Sequence, residues 1–228
     1  MKADNGKMRV NDIFYSLQGE GRHTGRAALF VRFAGCNLRC PFCDTEFDSY
    51  HEWTPDCIVT ELLAHCIDHG VLGGQKPMVV LTGGEPTLQA DEAFVDLLHD
   101  KGFCVAMESN GLLPAPRNLD WLTVSPKTAR PRRGVRATAG AQRGDREPRM
   151  PDEIKIVFDG RADPEKILSD YTERMGFGQE WKPLLYLQPC DMGDAVRNTL
   201  VTGDCVAYVK HHPQWLLSLQ THKMIGIE

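Results

Sequence analysis

Apolar residues in this chain gather into short continuous runs, not into an alternating pattern. Seven stand out: "AALFVRF" (27–33), "PMVVLT" (77–82), "FCVAME" (103–108), "DWLTV" (120–124), "EIKIVF" (153–158), "PLLYLQ" (183–188) and "QWLLSLQ" (214–220). Runs of this length that are apolar throughout suit parallel strands buried on both faces. Between them the period changes. In "TPDCIVTELLAHCIDHG", Ile58, Leu62 and Cys66 recur at helical spacing, Thr54 is an N-cap, Pro55 opens the first turn and Gly70 ends it. "DEAFVDLLHDKG" carries Phe94, Leu97 and Leu98 and stops at Gly102. "GDAVRNTLVTGDCVAYVKHHP" (193–213) is a weaker helix, because Gly203 interrupts it. Strand–helix alternation of this kind predicts α/β winding with a mainly parallel sheet.

The uncommon residues fall just after these strands. "CNLRCPFCDT" follows the first run, "GGEP" the second, "SNG" the third, "SPK" the fourth, "PCD" the sixth and "THK" the last. In a β/α barrel all these loops share the rim at the carboxyl ends of the strands, where such folds do their chemistry. The expectation is one site assembled from scattered motifs.

Composition narrows the class. The chain has 228 residues, 42% hydrophobic and 25% charged, with a formal net charge of −5. That is enough for one domain with its own core and argues against general nucleic-acid binding. The N-terminal "MKADNGKMRVNDIFYS" has no apolar core of a signal peptide, and no stretch reaches the roughly 18 apolar residues of a membrane span. A cytoplasmic protein is expected, with its eight cysteines reduced. One segment breaks the pattern: "ARPRRGVRATAGAQRGDREPR" (129–149) holds seven arginines among Gly, Ala and Pro. It reads as a mobile solvated insertion; a lid over the rim is the other reading, and no aromatic interleaves the charges to support RNA stacking.

Cys36, Cys40 and Cys43 supply three soft thiolates within eight residues, suited to zinc or iron–sulfur ligation. A structural zinc site wants a fourth Cys or His at short spacing, and none is placed for it. Three ligands on a four-iron cubane leave one iron open to a small molecule. Cys57, Cys66 and Cys104 sit on apolar faces, as small buried hydrophobes. "LTGGEPTLQ" lacks the spacing and the basic residue of a phosphate loop and reads alone as a turn.

Cys-x3-Cys-x-aromatic-Cys, with Phe42 as the aromatic, resembles the radical S-adenosylmethionine superfamily, and Gly83, Gly84 and Glu85 match its Gly-Gly-Glu-Pro loop. The resemblance implies an incomplete, modified (β/α) barrel and a [4Fe–4S] cluster whose open iron binds S-adenosylmethionine. It also implies that backbone in the Gly-Gly-Glu loop accepts hydrogen bonds from the methionine ammonium, and that glycine is needed because a side chain would block that approach.

Further segments, "FYSLQGEGRHTGRAALFVRFAGCNLRCPFCDTEFD", "MESNG", "VSPK", "LQPCD" and "LSLQTHK", resemble the 7-carboxy-7-deazaguanine synthase family in that order, from Ile13 to the C-terminus apart from 129–149. The implied reaction turns 6-carboxy-5,6,7,8-tetrahydropterin into 7-carboxy-7-deazaguanine and ammonia, with Mg2+ required, an electron donor such as flavodoxin, and a homodimer. Carried onto this sequence, Cys36, Cys40 and Cys43 hold the cluster, and Thr45 is the one protein ligand to Mg2+. Phe42, Cys43, Asp44, Gly84, Ser125, Pro126, Lys127 and the stretch Gln188, Pro189, Cys190, Asp191 line the cofactor. Leu17, Gln18, Gly19, Arg32 and Thr82 contact the pterin. Arg32 has its own rationale, a guanidinium fork for the substrate carboxylate, against the commoner fate of a surface salt bridge.

Glu108 and His222 sit at strand ends without assigned roles. The final "THKMIGIE" should emerge on the rim, with Met224, Ile225 and Ile227 packed over the pocket mouth and the Glu228 terminal carboxylate near the pterin; the family often ends in proline, and this chain does not. Two rivals stay beside this reading: a glycyl-radical-activating enzyme, which shares the cysteine motif, and a non-catalytic zinc or iron–sulfur module.

Overall fold

The computed structural model describes residues 6–43, 49–71, 75–127, 149–178 and 180–227. Nine strands form one sheet: β1 (Met8–Leu17), β2 (Ala27–Phe33), β3 (His51–Trp53), β4 (Met78–Gly83), β5 (Val105–Ser109), β6 (Trp121–Val124), β7 (Glu153–Phe158), β8 (Leu184–Pro189) and β9 (Trp215–Leu217). The order is β3-β1-β2-β4-β5-β6-β7-β8-β9. From β2 to β9 every neighbouring pair is parallel; β1 is antiparallel to both β2 and β3. Among the described residues the two outer strands do not pair, so the sheet curves as an incomplete β/α barrel.

The five helices are α1 (Pro55–Asp68), α2 (Glu92–Asp100), α3 (Pro164–Met175), α4 (Ala195–His211) and α5 (Thr221–Ile225). α1 packs on β1, α2 on β5, α3 on β7 and α4 on β8 and β9. One face of the sheet, with Leu29, Val31, Val79, Leu81, Val105, Met107, Leu122, Ile154, Ile156 and Leu187, joins the helices in the main core. The other face carries a small apolar cluster of Ala28, Met78, Val80 and Ala106, with Phe30, Cys104 and Trp121 against it. Because side chains alternate along a strand, the next residues on this concave face toward the carboxyl ends are Arg32, Thr82, Glu108 and Thr123. The polar ends of otherwise apolar runs thus become the lining of the bowl.

All seven expected runs overlap a strand, with ends shifted by one or two residues at β4, β5 and β8 and the last shortened to 215–217. Two strands were not foreseen. β1 mixes polar and apolar positions and most of it is half-buried, so it offers no continuous apolar run. β3 is only three residues long. α3 was also missed, although Asp163 caps it and Gly176 ends it in the left-handed region (φ 68°). Gly203 does not break α4, which runs unbroken through it; a Cβ there would meet nothing within 4 Å.

Two packing expectations are corrected. Cys57 is exposed, at the first turn of α1, while Ile58, Val59, Leu62 and Cys66 form the buried stripe. Met224, Ile225 and Ile227 are exposed, at 71%, 61% and 37%, because the one-turn helix α5 turns its polar face inward. Of the Arg-rich stretch 129–149 only Arg149 lies within the described residues, paired with Asp152 at 2.5 Å. Among the described residues, no helix is long and apolar enough to cross a membrane.

Candidate active site

Two adjoining cavities open at the carboxyl ends of the strands. The first, about 210 Å³, is lined by residues from the loops after β2, β4, β5, β6, β8 and β9: Cys36, Cys40, Phe42 and Cys43, then Gly84, Asn110, Ser125, Lys127, Gln188 to Asp191 and Gln220. The second, about 290 Å³, is lined by Phe14, Leu17, Gln18, Gly19, Phe30, Arg32 and His222. Glu20, Thr82, Gly83, Glu108 and Gln220 line both. The structure therefore brings together Cys36, Cys40, Cys43, Phe42, Gly84, Ser125, Lys127, Gln188, Pro189, Cys190 and Asp191 around one cavity, and Leu17, Gln18, Gly19, Arg32 and Thr82 around the other. Pro126 is buried behind the first wall and does not line it. Asp44, Thr45 and Glu228 lie outside the described residues.

The Gly-Gly-Glu-Pro loop is seated by backbone contacts. Gly84 N–H donates to Phe33 O and Glu85 N–H to Gly35 O, both at 2.9 Å. A Cβ on Gly84 would stand 2.0 Å from Gly35 O, and one on Gly83 (φ 108°) would stand 2.4 Å from Phe33 O. The glycines are needed because the cysteine loop's own backbone occupies that space, a different reason from the one expected. With its N–H groups committed, what this loop can offer a ligand is carbonyl acceptors.

Glu85 faces inward, 1% exposed. Its carboxylate accepts from Thr87 N–H (3.1 Å), Thr87 Oγ1 (2.5 Å), Ser109 Oγ (2.8 Å) and Asn110 N–H (2.8 Å). Burial raises its pKa and these four donors oppose the rise. Glu85 thereby ties the loop after β4 to the end of β5.

The first wall is soft and mostly neutral. Cys36 Sγ receives Leu38 N–H at 3.4 Å. Burial raises the Cys36 and Cys40 thiols, with nearby Lys127 opposing the rise at Cys40. Lys127 Nζ lies 2.7 Å from Ser125 Oγ and 5.7 Å from the Phe42 ring centroid. Burial, then Lys155, lower its pKa, and Cys40 favours its charged form. Among the described residues no three His, Cys, Asp or Glu side chains converge on one ion-sized position. Three soft thiols along one wall, with a cation and amide groups beside them, fit a cluster of several irons as a donor set.

The seam between the cavities is charged. Lys155, 4% exposed on β7, lines the first cavity, is ion-paired to Glu20 and lies 3.6 Å from Glu108. Glu20 also accepts from Gln188 (3.1 Å) and Gln220 (2.9 Å), so both of its oxygens are held by protein donors. Burial alone would raise the Glu20 carboxyl, but Lys155 and these donors hold it at about 2. Burial likewise works against charge on Lys155, and Glu108 and Glu20 outweigh it and raise its pKa.

Gln18 was expected to contact the pterin; its amide donates to Glu108 at 2.9 Å and accepts Glu20 N–H at 3.1 Å, so its side chain orients the Glu108 carboxylate and pins the Glu20 backbone. Arg32 lies 5.0 Å from the Phe14 ring, and among the described residues no carboxylate pairs with it. His222 packs where a Cβ on Gly19 would fall, 2.0 Å from its Nδ1, which explains that glycine.

The C-terminal segment closes the gap left by the open sheet. Thr221 N–H donates to Gly19 O at 3.0 Å, and Lys223 pairs with Asp191 at 2.9 Å. Hydrogen bonds from Lys223, Gly193 N–H and Asn198 hold the Asp191 carboxyl well below the usual carboxylate range. Sequence reasoning missed Glu20, Lys155, Asn37 and Asn110. The "EIK" of β7 held a signal: a lysine inside an apolar strand needs a buried counter-charge.

Residues 30–150 match the Radical SAM superfamily model. The chain is 41% identical to a 7-carboxy-7-deazaguanine synthase of Bacteroides thetaiotaomicron, over 96% of this chain and 98% of that protein. It is 40% identical to one of Caulobacter vibrioides, with the same coverage. The crystal structure of QueE from Escherichia coli superposes with a TM-score of 0.65 at 27% identity, over 94% of each chain. With the three thiols, the Gly-Gly-Glu-Pro loop and the paired cavities already in place, these similarities put the chain in the 7-carboxy-7-deazaguanine synthase family of the radical S-adenosylmethionine superfamily.

Proposed function

We propose that this chain converts 6-carboxy-5,6,7,8-tetrahydropterin to 7-carboxy-7-deazaguanine with loss of ammonia, a radical ring contraction that leads to queuosine and related 7-deazapurines. The observation that carries this reading is the seam at which Glu20, Thr82, Gly83, Glu108 and Gln220 line both cavities. A nucleoside cofactor in the first and a pterin in the second would have their reacting carbons side by side, as a hydrogen transfer requires. When bound, the cluster and S-adenosylmethionine supply the carbon radical, chemistry that no side chain here can provide.

The protein's part is to bind, orient and shield. Cys36, Cys40 and Cys43 would hold the cluster, and Phe42, Gly84, Ser125, Lys127 and Gln188 to Asp191 would surround the cofactor. The Lys127 cation offsets thiolate charge beside Cys40. Arg32 is open to a bidentate contact with the substrate carboxylate, beside Thr82, its parallel-strand neighbour. Phe14 and Phe30, stacked at 4.9 Å, give the pterin an aromatic wall. Thr45 as Mg2+ ligand, Asp44 at the cofactor and the Glu228 carboxylate at the pterin belong to this reading, as do a one-electron donor such as flavodoxin, a homodimer and a cytoplasmic site of action.

The test is anaerobic incubation of cluster-loaded protein with S-adenosylmethionine, reductant, Mg2+ and the carboxypterin, with the product read by mass. 7-Carboxy-7-deazaguanine is the expected product. A fully loaded protein that cleaves the cofactor but leaves the pterin intact would overturn the substrate assignment.

A further inference from the structure

Beside Cys36 lies a pair of buried side-chain amides, Asn37 and Asn110, 1% and 7% exposed. Their orientations follow from the hydrogen bonds around them. Leu112 N–H can only donate, and it donates to Asn110 Oδ1 at 3.0 Å. The Asn110 Nδ2 group must then face the other way, where it meets Asn37 Oδ1 at 2.6 Å. Asn37 is thereby compelled to present Oδ1 to Asn110, and its own Nδ2 has no partner among the described residues. The rest of the scaffold is tightly satisfied: Asn110 N–H is bound by Glu85 at 2.8 Å and Gly111 N–H by Ser109 Oγ at 3.1 Å.

The sulfur of Cys36 is the common neighbour. Leu38 N–H points at it from 3.4 Å and Asn110 Nδ2 lies 4.0 Å away. The thiol itself donates to Asn37 Oδ1 at 3.8 Å. As a metal thiolate, Cys36 has no proton to give and becomes an acceptor only. N–H groups are then the favourable neighbours, and amides that donate to cluster sulfurs stabilise the electron-rich reduced state.

We propose that the Asn110 side-chain amide, held in place by Asn37 Oδ1 and Leu112 N–H, donates an N–H···S hydrogen bond at the Cys36 corner of the cluster, fixes that ligand and raises the cluster's reduction potential. This rests on the reading that Cys36, Cys40 and Cys43 carry the cluster. Asn110 is a positioning residue: it acts on the ligand sulfur and not on the pterin. The link from Asn110 to Glu85 makes the Gly-Gly-Glu-Pro loop part of the same support, so cofactor seating and cluster electronics share one hydrogen-bonded frame.

The experiment uses native protein grown with asparagine labelled with 15N at the side-chain nitrogen only, reconstituted anaerobically and reduced without S-adenosylmethionine. Pulsed EPR of the reduced cluster should reveal a weak 15N coupling from the Asn110 amide. In Asn110→Leu the coupling should be lost, and the midpoint of an EPR-monitored redox titration should move to a more negative value at equal iron and sulfide content. A normal cluster with no 15N coupling overturns the proposal, as does a coupling that appears only once S-adenosylmethionine is added. An unmoved midpoint in a fully loaded Asn110→Leu protein overturns the electronic part. If Asn110→Leu fails to load, the labelled native protein still decides. A native protein that binds no cluster at all would refute the family reading instead.

Discussion

The two halves of the active-site bowl solve different physical problems. The half around Cys36, Cys40 and Cys43 is built from thiols, glycines and neutral amides on loops, with Lys127 beside them. The other half, the seam shared with the Arg32 cavity, is braced by a buried ionic knot in which Lys155 binds Glu20 and lies beside Glu108. The first is held by backbone hydrogen bonds and close glycine contacts, so its chemistry can be removed without removing its shape. The second places charges in the interior, so its shape depends on every charge keeping its partner.

That contrast is most sharply tested by activity. Cys40→Ala should abolish turnover, because it removes one of the three cluster ligands, while the unfolding free energy of cluster-free protein changes by less than about 1 kcal/mol. Unfolding of this variant by several kcal/mol would show that the thiol half is structural after all.

Lys155→Met should do the opposite and act through stability. It leaves Glu20 buried without its cation, and a loss of about 3–5 kcal/mol is expected in denaturant unfolding. Combining it with Glu20→Gln should recover much of the loss. Additive losses in the double variant would mean that the two side chains are not one unit.

Glu153 gives a pH test of the same region. It is 1% exposed on β7, and burial pushes its carboxyl up to about 7, against Arg22 N–H and Lys155, which favour the charged form. A carboxyl that ionises later in the folded than in the unfolded chain lowers stability as pH rises from about 4.5 to 7. Glu153→Gln removes that penalty. Its stability relative to the native protein should therefore be higher at pH 8 than at pH 4.5 by roughly 3 kcal/mol. An equal difference at both pH values would place Glu153 in a normal, hydrated environment.

The smallest effect lies far from both halves. Gly203 sits inside α4 with open space where a Cβ would go. Gly203→Ala should stabilise by about 0.5–1 kcal/mol with turnover unchanged, measured by melting and by product formation.

The sequence by itself determined the parts of this protein whose physics is local. The helix cap at Thr54, the apolar parallel strands, and the three-thiol spacing all depend on neighbours a few residues away, and each appears where it was expected. The Gly-Gly-Glu-Pro, Ser-Pro-Lys and Gln-Pro-Cys-Asp motifs could be placed on one rim because parallel strands all point the same way. Only the tertiary structure decided what those motifs touch. Glu20 and Lys155 are 135 positions apart, Gln18 and Glu108 are 90, and Asn37 and Asn110 are 73. Such pairs depend on strand order and register across the sheet, which no spacing within the chain encodes. The same distance effect reassigned Gly84, whose missing side chain makes room for the Gly35 backbone. It also turned Met224 and Ile225 outward, because a one-turn helix anchored by Thr221 and Lys223 has its polar face already committed to the bowl.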